Sequence, residues 1–170
     1  SQSSIILAHI GVSGSSYNLI TGYYEDFPCN LTCTGGSSFI NNKIGVSMGT
    51  PNSSLKFWNS SVITNSNLPT VSFISGISLY QQKYASIIQG HFENSVNTAS
   101  AGIFAFGLDV VDSYVNMRGG DIKGYNSGIR ALELGEEKPY SISGVLFEDC
   151  YAGIASNSIN NFAINSCTFK

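Results

Sequence analysis

Residues 140–150 read YSISGVLFEDC: Tyr140, Ile142 and Phe147 are apolar, Gly144 stands in the gap, and Glu148-Asp149 ends the run. The frame is apolar, any, apolar, any, small, any, any, apolar, any, then Asn, Asp or Gly. It recurs in YNLITGYYEDF (17–27), KFWNSSVITNS (56–66), ASIIQGHFENS (85–95), VNMRGGDIKGY (115–125) and FAINSCTFK (162–170). Aligned, the blocks give three apolar columns. The first is Tyr17, Lys56, Ala85, Val115, Tyr140 and Phe162, with Lys56 out of character; the second is Leu19, Trp58, Ile87, Met117, Ile142 and Ile164. The third is Tyr24, Ile63, Phe92, Ile122, Phe147 and Phe169. Two positions later come Asp26, Asn65, Asn94, Gly124 and Asp149, residue types that tolerate a left-handed turn.

A second short frame recurs between these blocks as Gly76-Ile77, Gly102-Ile103, Gly128-Ile129 and Gly153-Ile154, with weaker echoes at Gly11-Val12 and Gly45-Val46. Short alternating segments repeating every ~20–30 residues, with turn formers between them, predict a solenoid of stacked strands. Each turn is unable to bury its own apolar residues, and stacking about six of them at ~4.8 Å per rung buries them as ladders. The fold class expected is all-β, a parallel β-helix forming a single domain over 1–170, with PCNLTCTGGSSFINNK (28–43) as an inserted loop. The last rung stops at Phe169-Lys170 without a polar cap, so the expectation is a fragment of a longer chain.

Only 11% of the 170 residues are charged and the net charge is -3, whereas Ser, Asn and Gly abound. No basic patch marks a nucleic-acid or anionic-membrane partner, and no apolar run is long enough to span a bilayer. The start SQSSIILAHIG lacks the basic opening of a secretion signal, and the chain is expected to be soluble. The four cysteines are expected to be free buried thiols, a local Cys29–Cys33 bridge being the alternative, and they lack zinc-site spacing. With only His9 and His91 present, no Ser/His/Asp arrangement arises, and no phosphate-cradling Gly motif opens a helix. No cofactor and no metal are implied.

Positions flanking the third column point away from the core, and stacking gathers ionisable groups there. The residue after the column runs Glu25, Thr64, Glu93, Lys123, Glu148, Lys170; the residue before it includes His91 and Asp121, with Arg118 nearby. A saccharide-cleaving face would use Glu93, Asp121 and Glu148 as catalytic acids and bases, with His91, Arg118 and Lys123 binding substrate. Plain cross-strand ion pairing explains the same alternation of charge. A second acidic cluster, Asp109, Asp112, Glu133, Glu136 and Glu137, falls on loops after the Gly-Ile frames; it reads as a hydrolase pair, a calcium site or, more simply, solvated loop charge. Trp58 shares a column with Leu, Ile and Met and is expected in the core, while Tyr23, Tyr80 and Tyr84 are candidates for exposed stacking surfaces.

The run from Ile142 through Gly144 and Phe147 to Asp149 resembles the rung pattern of right-handed parallel β-helices of the pectate-lyase-like superfamily. The Ser/Asn/Gly-rich, weakly charged texture is most similar to bacteriophage tailspike and tail-fibre proteins. That resemblance implies a homotrimeric virion protein that binds, and in some cases cleaves, bacterial capsular or O-antigen polysaccharide, as an endo-glycosidase or lyase. The alternatives are a non-catalytic structural or adhesive β-helix and a secreted monomeric polysaccharide lyase or epimerase.

Overall fold

The computed structural model describes residues 4–6, 10–13, 28–65, 73–95, 104–135, 138–157 and 161–170. They form seventeen strands and no helix, in two sheets whose neighbours are all parallel. The chain enters through β1 (Ser4–Ile6) and β2 (Ile10–Ser13). Then come β3 (Asn30–Cys33), β4 (Ser38–Asn42) and β5 (Ile44–Met48), followed by β6 (Ser54–Trp58), β7 (Ser61–Thr64) and β8 (Phe73–Tyr80). Next are β9 (Tyr84–Asn94), β10 (Phe104–Val111), β11 (Val115–Lys123) and β12 (Ser127–Leu132). The stack continues with β13 (Tyr140–Ser143), β14 (Leu146–Glu148) and β15 (Ala152–Asn157), then β16 (Phe162–Asn165) and β17 (Thr168–Phe169).

One sheet is bent into two faces. Its first face stacks β3, β6, the start of β9, the start of β11, β13 and β16; its second stacks β1, β4, β7, the ends of β9 and β11, β14 and β17. The other sheet stacks β2, β5, β8, β10, β12 and β15. Each rung therefore visits three faces in turn, as in a β-helix solenoid, and five rungs contribute to all three.

The observed register sharpens the columns. They run Leu55, Ala85, Val115, Tyr140, Phe162, then Phe57, Ile87, Met117, Ile142, Ile164, then Val62, Phe92, Ile122, Phe147, Phe169. From the β6–β7 rung to the β13–β14 rung, every member is at most 1% exposed. Lys56, Trp58 and Ile63, expected in these columns, each lie one residue out of register and point outward. The slip arises because Leu55/Phe57/Val62 and Lys56/Trp58/Ile63 fit the frame at the same spacing, and a one-residue shift exchanges the two sides of a strand. The charged Lys56 was the sign of the wrong choice. The expected insert 28–43 is itself part of a rung containing β3 and β4, with Leu31, Cys33 and Phe39 in the columns. One extra residue at its Gly35-Gly36 corner hides it from the frame. The block 17–27, with Glu25 and Tyr23, lies outside the described residues.

The Gly frame marks the other sheet, with one replacement. Val46, Ile77, Leu108, Ile129 and Ile154 align, so Gly107 and not Gly102 holds the place in β10; Gly102-Ile103 lies outside the described residues. A Cβ on Gly45, Gly76, Gly107 or Gly128 would lie 2.4–2.7 Å from the carbonyl oxygen of the next glycine in the series. It would also strike the third-column side chain one rung on: Val62, Phe92, Ile122 and Phe147 respectively at 2.3, 2.9, 2.4 and 2.5 Å. Glycine is required there because the opposite wall already fills the space.

Left-handed residues make the corners. Asn59, Gln89, Gly119, Gly144 and Ser166 have φ of 48°, 51°, 64°, 63° and 54° and bend the first sheet into its two faces. Asn41, Gly124 and Asp149 serve the second corner and Asn52, Gln81 and Asp112 the third. Asn94, expected among the turn formers, instead ends β9 with its side chain buried and Nδ2 donating to the Gly124 carbonyl at 3.1 Å. The residue after a left-handed one often folds inward to donate to the carbonyl two positions back. Ser60 donates to Trp58 O, Gln82 to Tyr80 O, Ser113 to Val111 O, Cys150 to Glu148 O and Cys167 to Asn165 O. These caps satisfy carbonyls that a bent strand turns away from its neighbour.

Gly128→Ala is therefore expected to cost about 3 kcal/mol, because overpacking here meets backbone as well as the Phe147 ring. Gly49→Ala, with nothing within 4 Å of its added methyl, should stay within about 0.5 kcal/mol of the parent. Urea denaturation of the two variants checks the contrast, and equal midpoints would remove the glycine requirement.

Candidate functional site

The second face of the bent sheet carries the charge ladder. Pairing sets His91 beside Asp121 and Ser61, and Lys123 beside both Glu93 and Glu148. His91 Nδ1 lies 2.6 Å from Asp121 Oδ2, so the ring nitrogen donates to the carboxylate and the imidazole is held in place. That leaves Nε2 directed toward Glu93, 3.6 Å from Oε2. Lys123 Nζ turns to Glu148 Oε2 at 3.4 Å and reaches Asp149 Oδ2 at 4.0 Å. The face thus divides into a Glu93–His91–Asp121 cluster and a Lys123–Glu148–Asp149 cluster, their side chains one-third to three-fifths exposed. At that exposure each ion pair adds only ~0.2–1 kcal/mol.

Two expected members stand apart. Arg118 precedes the Gly119-Gly120 corner and so projects from the first face, making no ion pair with Asp121 among the described residues. Lys170 continues the register beyond Phe169, its backbone N–H donating to Phe147 O, and forms no ion pair with Glu148 among the described residues.

The second acidic cluster separates into individual acceptors. Asp109 is buried on β10, where Arg130 one rung on grips it twice, Nε to Oδ1 at 2.7 Å and Nη2 to Oδ2 at 2.8 Å. The guanidinium also lies 4.1 Å from the Phe106 ring centre. Buried Asp112 accepts from the backbone N–H groups of Leu134 and Gly135, and Glu133 accepts from Lys138 N. These carboxylates fix turns and rung register, rather than being solvated loop charge; Glu136 and Glu137 lie outside the described residues. Among the described residues no three His, Cys, Asp or Glu side chains converge to hold a metal ion. Arg130 escaped the reading of the sequence, although Gly107-Leu-Asp109 and Gly128-Ile-Arg130 carry the signal once the correct glycines are aligned.

Trp58, expected in the core, is 36% exposed on the first face. Its Nε1 donates to Ser86 Oγ at 3.1 Å and Lys56 Nζ lies 5.6 Å from its ring centre. Tyr84 stacks on Tyr114 with ring centres 5.0 Å apart, and Tyr80 is exposed. A groove of about 660 Å³ opens beside Tyr84, which lines it with Pro28, Asn30, Asn52, Ser54 and Lys83, at the end of the first face away from Trp58. A second cleft of about 240 Å³ lies further along the same corner, against Pro51, Gln81, Asp112 and Lys138. Neither borders the charge ladder.

All four cysteines are free. Burial pushes the Cys33 thiol up to about 11 and raises that of Cys150. No protein-family model matches the chain, and neither a curated protein nor a solved structure matches it.

Arg130→Met strands a buried carboxylate and should cost about 3 kcal/mol in chemical denaturation, with the Asp109→Leu/Arg130→Met pair recovering most of it. A thiol reacts as thiolate, and with its pKa near 11 only ~0.1% of Cys33 is ionised at pH 8. Alkylation at pH 8 followed by mass spectrometry should spare native Cys33 and label it fully after denaturation.

Proposed function

We propose that this chain is a polysaccharide-recognising β-helix segment of a bacteriophage tailspike or tail fibre, acting as a homotrimer on the virion at the bacterial surface. The observation that carries the reading is Trp58: an indole on the outside of a rigid sheet, its N–H anchored by Ser86, on the same face as an open groove lined by Asn, Ser, Lys and Tyr at the other end of its strand, where Ser54 begins β6. A packed solenoid has no use for a half-exposed tryptophan held in one orientation. A sugar does, because its C–H face stacks on an aromatic ring while hydroxyls reach amides and hydroxyls around it. The Ser/Asn-rich, weakly charged composition and the parallel solenoid support the phage assignment.

Cleavage is a second reading, favoured by the Glu93–His91–Asp121 cluster. A histidine held between two outward carboxylates exceeds what register requires, and it sets an acid/base group at the surface. Lys123–Glu148 needs no such explanation.

The binding reading is tested by affinity electrophoresis of the homogeneous protein in gels containing capsular and O-antigen polysaccharides. Retardation in at least one, reduced about tenfold or more by Trp58→Ala, is the expected result; retardation indifferent to Trp58 would sink it. Where reducing ends or 235 nm absorbance report cleavage, Glu93→Gln or Asp121→Asn should lower the rate at least ~100-fold, with Glu148→Gln near parental. Unchanged rates in both would remove this face from the chemistry.

A further inference from the structure

The charges are partitioned among the faces. Acids occupy the second face (Glu93, Asp121, Glu148), the other sheet (Asp109) and the third corner (Asp112). The strand segments of the first face, 30–33, 54–58, 84–88, 115–118, 140–143 and 162–165, contain no Asp or Glu. Yet Lys56 and Arg118 project from that face and Lys83 stands at its edge, three of the chain's eight Lys and Arg. All three are exposed and none forms an ion pair among the described residues. In a molecule of net charge -3, one acid-free face with three cations is a local reversal of sign.

We infer that this face binds an acidic polysaccharide, with Lys56, Lys83 and Arg118 meeting its carboxylates while Trp58 and Tyr84 stack against its rings. The inference rests on the polysaccharide reading and adds the charge class of the ligand and the residues that select it. The three cations belong to successive rungs, so they span about 10 Å along the stack at ~4.8 Å per rung. They are offset across the strands as well, Lys56 lying beside Ser86 and Arg118 beside Ile88, three and five positions on from Lys83, and cations scattered over so wide an area suit an extended chain bearing repeated carboxylates better than a single small anion. The Arg118 guanidinium forks to fit a carboxylate, and Lys56 Nζ lies 5.6 Å from the centre of the Trp58 ring, where a stacked acidic sugar would bring its carboxylate. Because these strands carry no acid, an approaching carboxylate meets no like charge on the face itself. Three cations are too few for a nucleic acid, whose phosphates would find net repulsion over the rest of the molecule.

The test uses the whole chain, calorimetric titration and three kinds of probe. These are uronate- or sialate-bearing capsular polysaccharides, the same preparations after carbodiimide reduction of their carboxyl groups to alcohols, and single-stranded DNA. The expected result is binding to an acidic polysaccharide that falls at least tenfold on carboxyl reduction. Arg118→Ala or Lys83→Ala should each weaken it about fivefold, while Lys43→Ala, on another edge, leaves it unchanged. Equal binding of reduced and unreduced chains, still dependent on Trp58, overturns the charge selection and keeps the polysaccharide reading. No binding to either form overturns both. Binding of DNA as tight as that of the acidic chain shows an indiscriminate polyanion surface and also overturns the inference.

Discussion

The whole solenoid depends on one steric fit: a glycine in one sheet lies beneath the apolar side chain that the opposite wall sends across from the next rung. The interior is too narrow at that level for two side chains. Once Gly45, Gly76, Gly107 and Gly128 are matched to Val62, Phe92, Ile122 and Phe147, the phase of both sheets is set, and with it which residues face outward. The ion pairs, the anchored indole and the groove are consequences of that phase. The exposed pairs are individually weak, whereas each buried ladder side chain contributes about 1.5–3 kcal/mol.

Corners complete the arrangement. In Phe147-Glu148-Asp149-Cys150 each residue does something different. Phe147 fills the core, Glu148 joins the outer ladder, Asp149 takes the left-handed bend and Cys150 turns in to cap the Glu148 carbonyl. The same division holds at Asn165-Ser166-Cys167 and at Val111-Asp112-Ser113. Serine, glutamine and cysteine are used alike in the capping role, which accounts for Cys150 and Cys167 as it does for Ser113, while Cys33 is a core residue.

The parallel strands and three columns were legible because an apolar side chain must recur at one level of every rung. The one-residue slip at Trp58 was built into the pattern, since two overlapping registers fit and only Lys56 told against the wrong one. The rung at 28–43 was hidden by a single added corner residue. The His91–Asp121 and Lys123–Glu148 neighbours followed from alignment, because register alone brings them together. What alignment left open was direction: Arg118 and Asp121 are three residues apart, yet the glycine corner between them sends them to different faces. Arg130 needed the second ladder in phase before it could be placed opposite Asp109.

The glycine fit is also offset, since the side chain that closes over Gly45, Gly76, Gly107 or Gly128 comes from the following turn. The stack therefore has an intrinsic direction, like a row of overlapping tiles. Every turn stays open on its leading side until the next one is laid over it, so the order in which the chain is made is also the order in which the wall can be sealed. Growth from the amino-terminal end covers each gap as it forms, whereas growth in reverse lays each glycine strand under a side chain already in place.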